Sequence, residues 1–134
     1  MPRVLISDKM SPLAEDCFKR RGVDVDYKPG MTPEELKACI GDYDGLAIRS
    51  ATKVTEDIIS SATNLKAVGR AGIGVDNVDV KAATLAGVMV VNAPTSNIVS
   101  AAELAVGLLL ASARNIAPAN AALHKGEWKR SKYT

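Results

Sequence analysis

Three short stretches carry residue types that can hold an anion. Leu65–Asp79 (LKAVGRAGIGVDNVD) runs from an apolar tetrapeptide into Gly69, Arg70, Gly72 and Gly74. An apolar strand, a glycine turn and a helix start together aim backbone N–H groups at one point, where a carboxylate or phosphate can sit. The glycines permit positive φ and close approach of a ligand. Arg70 adds a fixed charge that can grip an oxyanion with two hydrogen bonds. Arg49-Ser50 and Asn92–Asn97 are the other two stretches. The first is not a dinucleotide fingerprint, because G-x-G-x-x-G needs glycine or alanine where Asn77 stands. An ordinary tight turn stays open beside an anion site for Leu65–Asp79.

The elements that must position these residues alternate along the chain. Val4–Ser7 reads as a first strand. Ser11 and Pro12 open a helix whose apolar face is Leu13, Cys17 and Phe18, closed at Gly22. Val23–Tyr27 alternates as a half-buried or edge strand would. Thr32-Pro33-Glu34-Glu35 has the form of a capping box, and its helix reaches about Ile40. Gly45–Ile48 is wholly apolar and ends at Arg49. Thr55 caps the next helix, Leu65–Val68 is strand four, Val78–Ala86 a short helix and Val88–Val91 strand five. Five such units predict an α/β fold, a flavodoxin-like, doubly wound, parallel five-stranded sheet. Ligands of such sheets bind beyond the carboxyl ends of the strands, where all three stretches fall.

After Asn97 the character changes. Ile98–Asn115 is apolar on nearly every side, as a helix buried between layers or subunits would be. Ala101, Ala102, Ala105 and Gly107 allow a partner to approach closely. Pro118 opens another helix ending near Gly126, and a basic arm follows with Trp128 and Tyr133. The expected division is 1–97 for the sheet domain and 98–134 for the long interdomain or dimer helix and its arm.

The chain has 134 residues, 47% of them hydrophobic and 4% aromatic, so its core must be built from Ala, Val, Leu and Ile. A net charge of +2 argues against a general nucleic-acid binder. Its excess lies in Lys125, Lys129, Arg130 and Lys132, which stand against Glu127 alone. Leu104–Ala113 is too short to span a bilayer. Cys17 and Cys39 are on no metal-ligand spacing and are expected as core thiols. Met1-Pro2-Arg3 leads straight into a strand, which suggests a cytoplasmic protein with no leader, and the cysteine spacing gives no reason to expect a metal.

These residues carry a family resemblance. Val4–Asp8, GLAIRSATKVT (45–55), VGRAGIGVDNVD (68–79), VMVVNAPTSNIVSAAELAVGLLLASARN (88–115) and Trp128–Arg130 resemble the amino-terminal portion of the phosphoglycerate dehydrogenase branch of the D-isomer-specific 2-hydroxyacid dehydrogenases. The likeness covers essentially the whole chain. It implies an enzyme that oxidises the 2-hydroxyl of 3-phosphoglycerate to 3-phosphohydroxypyruvate, with hydride passing to NAD, at the head of serine biosynthesis. It implies that Arg49 and Ser50 hold substrate and that Arg70 adds phosphate affinity. The N–H groups of Ala71, Gly72, Ile73 and Gly74 would bind the carboxylate, with Ile73 close to the nicotinamide. Asn97 would lie at the cleft, and Arg130 and Lys132 would reach substrate on an arm crossing to a partner subunit. Ile98–Asn115 would be the core of a homodimer or homotetramer, without nucleic acid or membrane as partner. The family's NAD-binding Rossmann domain and its catalytic arginine, glutamate and histidine have no counterpart in this sequence, and His124 matches none of them. The 134 residues are thus expected to be a substrate-binding portion, inactive alone.

Bland readings stand beside these. Arg49 and Arg70 can be solvated strand-end arginines, Asn97 a helix cap, and Lys125–Lys132 a solvated face. A receiver-type signalling domain shares the sheet plan but needs an aspartate at the end of strand three, where Arg49 stands. A free-standing anion-binding or dimerisation module is a second rival. A dehydrogenase of an unphosphorylated 2-hydroxy acid is a third, and it would leave one of the two arginines without a partner.

Overall fold

Short β-branched and aliphatic runs alternate with capped amphipathic segments, and each becomes an element. They are β1 (Arg3–Ile6), α1 (Pro12–Lys19), β2 (Asp24–Tyr27), α2 (Pro33–Cys39), β3 (Gly45–Ile48), α3 (Glu56–Ser61), β4 (Ala67–Arg70), α4 (Val80–Leu85) and β5 (Met89–Asn92), followed by α5 (Ile98–Ala113) and α6 (Ile116–His124). The structure is a computed structural model and describes residues 1–133; Thr134, the end of the expected arm, lies outside the described residues. The chain divides into two units, Met1–Ser96 and the segment from Asn97 onward.

In the first unit the five strands are parallel, in the order β2-β1-β3-β4-β5. This is the flavodoxin-like order. Leu5, Leu46, Val68 and Val90 pair across the sheet in one row. That row packs into a single cluster with Leu36 and Ile40 of the α2 region, Ile58 and Ile59 of α3, and Ala83 of α4. Tyr43 is the largest fully buried side chain. The opposite row is Ile6, Ala47, Gly69 and Val91, and it grades from fully buried at Ile6 to 46% exposed at Val91.

Helix starts follow local chemistry. Ser11 accepts from the Leu13 N–H, with Pro12 in the first turn. Thr32 and Glu35 complete both bonds of a capping box. Thr55 occupies the cap position of α3, yet its side chain makes no capping bond. α4 begins at Val80, two residues later than its apolar pattern suggests, because Val78 is drawn into a parallel bridge with Val54. Asp79 then caps the helix through the Ala82 N–H. The expected core thiol at Cys17 is exposed, as is Leu13, so α1 has a thinner buried face than its sequence implies.

In the second unit no residue of α5 is buried. Asn115 adopts φ +52°, a left-handed conformation that asparagine tolerates. It ends the apolar run and caps α6, which therefore starts at Ile116 rather than at Pro118. Asn97 caps α5 by position and through its carbonyl, which accepts from the Ala101 N–H, not through its side chain. Among the described residues no single helix is long and apolar enough to cross a membrane; α5 and α6 meet that test only together, bent by 64°.

Candidate functional site

A parallel sheet brings all strand ends to one edge, and this sheet reverses its winding between β1 and β3, where such folds open a crevice. Asp8 follows β1 there and is 4% exposed. Its carboxylate accepts the Arg49 N–H at 2.7 Å, the Thr52 N–H at 3.1 Å and the Thr52 hydroxyl at 2.6 Å. Burial pushes the Asp8 carboxyl up, but the hydrogen bonds from Thr52, Arg49 and Ala51 outweigh it and hold the group below the ordinary carboxylate value. From the other side the Asn77 amide donates to the carbonyls of Arg49 and Thr52, both at 2.7 Å. Backbone bonds from Val54 to Asn77 and from Asp79 to Val54, each 2.8 Å, fasten the two loops together. The Arg49–Thr52 turn is therefore held through both its end amides and both its end carbonyls, and Ser50 and Ala51 stand exposed at its crest.

Arg70 ends β4, and its side chain is only 13% exposed. It folds back over its own loop, donating from Nη1 to the Gly74 carbonyl, with Nη2 3.8 Å from Asp76. Its Nε is buried without a partner. Neither Gly72 nor Gly74 has positive φ; the posture of Arg70 accounts for Gly72, and the Asp76 carboxylate crowds Gly74. A Cβ at Gly72 would lie 2.6 Å from Arg70 Nη1, and one at Gly74 would lie 2.9 Å from Asp76 Oδ1. Two of the four expected N–H donors are already used: Ala71 donates to Ile48 at 2.8 Å and Gly72 to Arg70 at 2.9 Å. The loop does not run directly into a helix either, since α4 starts eight residues beyond Gly72 and is capped by Asp79.

Arg49 and Ala71 line one cleft of about 460 Å³ with Lys9, Met10, Ser11 and Ala14. Arg49 and Ser50 line an adjoining cleft of about 270 Å³ with Asp8, Lys9, Gly30 and Ala51. The Arg49 guanidinium rests on the Lys9 carbonyl at 3.2 Å. Ile73 is 41% exposed, and the Asn92 amide holds its carbonyl at 2.6 Å. The structure thus gathers Arg49, Ser50 and Ala71 around shared clefts, with Gly72, Ile73 and Gly74 on the adjoining loop. Asn97, Arg130 and Lys132 belong to the second unit. There Arg130 lines a cleft of about 260 Å³ with Leu123, Trp128 and Tyr133, and Lys132 Nζ lies 5.5 Å from the centre of the Tyr133 ring. The sequence reading missed Asp8, Lys9, Thr52 and Asn77. For Asp8 the sequence does carry a signal, a carboxylate at the end of a buried central strand; Asn77 shows there only as a missing glycine. Among the described residues no group of three His, Cys, Asp or Glu could hold a metal ion.

The catalytic-domain model of the D-isomer specific 2-hydroxyacid dehydrogenases matches residues 4–128. A D-3-phosphoglycerate dehydrogenase of Methanocaldococcus jannaschii is 50% identical over 135 residues, covering 99% of this chain and 25% of that protein. The human D-3-phosphoglycerate dehydrogenase is 47% identical over 131 residues, covering 98% and 25%. The chain spans about a quarter of the length of these curated relatives. Among solved structures, a Pyrococcus horikoshii protein superposes with a TM-score of 0.83 at 32% identity, covering 96% of this chain and 38% of that one. The NAD⁺-bound 3-phosphoglycerate dehydrogenase of Entamoeba histolytica gives 0.73 at 26%, covering 82% and 38%.

Proposed function

The chain belongs to the D-isomer-specific 2-hydroxyacid dehydrogenases, and from that premise we propose that it is the substrate-binding portion of an NAD-dependent enzyme oxidising 3-phosphoglycerate to 3-phosphohydroxypyruvate, the entry to serine biosynthesis. The observation that carries this reading is the meeting of Arg49 and Ala71 in one cleft at the carboxyl edge of the sheet. The substrate has two anionic ends, a carboxylate and a phosphate. Arg49 and Ser50 offer one set of ligands. The 71–74 loop offers another, narrowed to the N–H groups of Ile73 and Gly74 with Arg70 behind them. Each charge-assisted contact is worth roughly 1.5–3 kcal/mol, so an unphosphorylated 2-hydroxy acid would forgo one such contact.

The residues of this chain do not fit a dinucleotide. No strand here leads through G-x-G-x-x-G into a helix, and the start of α4 is closed by Asp79. What the chain would offer to NAD is the exposed apolar side chain of Ile73, which would pack against the nicotinamide, while hydride transfer would belong to residues other than these. Asn97, Arg130 and Lys132 are assigned to substrate on the family resemblance alone, the last two as part of an arm that would cross to a partner subunit. α5 supplies the contact of a homodimer or homotetramer: Ile98, Val99, Leu104, Val106 and Leu108–Leu110 are 51–68% exposed, an area that soluble monomers rarely leave open. The enzyme acts in the cytoplasm.

Thermal unfolding of the chain with and without ligand tests the reading. 3-Phosphoglycerate should raise Tm, by about 2.7 kcal/mol of stabilisation at one hundred times Kd. D-glycerate should raise it far less, and Arg49→Ala should abolish the effect. No shift with 3-phosphoglycerate, or an equal shift with D-glycerate, would overturn the substrate assignment. NAD-dependent turnover by the chain alone would overturn the division of labour.

A further inference from the structure

The N–H groups that converge at the crevice between β1 and β3 are those an incoming anion would ordinarily use. Here they are taken. The amides of Arg49 and Thr52 and the Thr52 hydroxyl all point at Asp8, a residue 41 and 44 positions away in sequence. The Ser7 hydroxyl, 2.9 Å from Thr52 Oγ1, donates to it from behind, because the Thr52 proton is committed to Asp8. We propose that Asp8 is a positioning residue for anion recognition: its buried carboxylate fills the amide nest of the Arg49–Thr52 turn as a built-in anion and so fixes Arg49 and Ser50 in their ligand-receiving attitude. The proposal rests on the reading of Arg49 and Ser50 as substrate ligands.

The consequences for the site are specific. A substrate cannot enter the nest, so it meets the turn from outside, through the Arg49 side chain and the Ser50 crest. The attitude of that side chain is set at its Cα, whose two flanking peptide groups are both tied, one to Asp8 and one to Asn77. The Arg49 guanidinium is then braced on the Lys9 carbonyl, the residue next to Asp8. A carboxylate is required rather than an amide. Every group facing Asp8 is a donor, so asparagine would set an NH₂ group against an N–H or O–H on one side. Glutamate would carry one methylene too many for a site that is 4% exposed.

The proposal separates from a merely structural role by order and by affinity. The unaltered chain, Asp8→Asn, Thr52→Val and Thr52→Ser are compared by ¹⁵N relaxation and by calorimetric titration with 3-phosphoglycerate. In Asp8→Asn the order parameters of residues 49–51 should fall from about 0.85 to below about 0.6, while those of β1 and β3 stay high. The Kd for 3-phosphoglycerate should rise about tenfold or more. Thr52→Val, which keeps the side-chain shape and deletes the hydroxyl bond, should move both readouts in the same direction, and it decides the matter if Asp8→Asn does not fold. Thr52→Ser should retain both. Unchanged order in residues 49–51, or lost order with unchanged Kd, would overturn the proposal. If the unaltered chain does not bind 3-phosphoglycerate at all, the substrate assignment fails, and the positioning by Asp8 is then decided on the order parameters alone.

Discussion

Replacing Gly72 with alanine should reveal Arg70 as the cause of that glycine. The new methyl carbon would sit 2.6 Å from Arg70 Nη1 and 3.2 Å from Cζ. Gly72 does not have positive φ, so alanine meets no backbone penalty. Relief must come from the guanidinium, which would swing away and give up its bond to the Gly74 carbonyl. A bond from a charged donor is worth about 1.5–3 kcal/mol. Asp76, 85% exposed and 3.8 Å away, adds little to that. The expected cost is therefore about 2 kcal/mol, which for a chain of this size is a fall in Tm of about 8 °C. Urea unfolding followed by circular dichroism, on Gly72→Ala, Arg70→Ala and the double variant, isolates the cause. Without the guanidinium nothing obstructs the methyl group, so Gly72→Ala should cost about nothing in the Arg70→Ala background, a coupling of about 2 kcal/mol. Equal costs in both backgrounds would refute the steric conflict and place the strain elsewhere in the loop.

Three further outcomes are expected. Asp8 has a folded-state pKa below the ordinary carboxylate value, so its contribution to stability is full above about pH 4 and is lost as pH falls through the lower folded value; Tm against pH should have a shallower acid limb in Asp8→Asn. Tyr43 is 1% exposed, its hydroxyl donates to Asp26 at 2.6 Å and accepts from Lys28 at 3.3 Å, so Tyr43→Phe should cost about 1–2 kcal/mol in urea unfolding. Thr32→Ala removes one half of a complete capping box and should cost about 1 kcal/mol by the same measurement.

The sheet and its order were legible because each strand is a short aliphatic run and each crossover carries its own punctuation. Thr32-Pro33-Glu34-Glu35 specifies α2 without reference to anything distant. The site was legible only at its crest. Arg49, Ser50 and the 71–74 loop announce themselves by charge and glycine content at strand ends. The parts that hold them do not, because a hydrogen bond from Arg49 to Asp8 leaves no periodic trace across 41 residues. Asn77 shows the same limit: a local pattern registers only that it is not glycine, while the structure gives it two carbonyls from another loop. The glycine loop is legible in sequence as either an anion site or an ordinary tight turn, with glycines that permit positive φ; neither Gly72 nor Gly74 uses it. The competing causes are side chains: folded-back Arg70 crowds Gly72 and Asp76 crowds Gly74, and two of the amides are spent within the fold. The start of α4 was misplaced because the apolar Val78 serves a bridge rather than a helix.

The double clasp on the Arg49–Thr52 turn has a consequence for transplantation. Its ties run to residues 41 and 44 positions upstream and 25 and 28 positions downstream, and none lies within the turn itself. The tetrapeptide Arg-Ser-Ala-Thr copied onto another scaffold would take along its charge and hydroxyls but nothing that shapes them. The smallest portable unit is the trio of strand ends, β1 with Asp8, β3 with the turn, and the loop after β4 with Asn77. Moving this turn to another scaffold therefore means moving all three together.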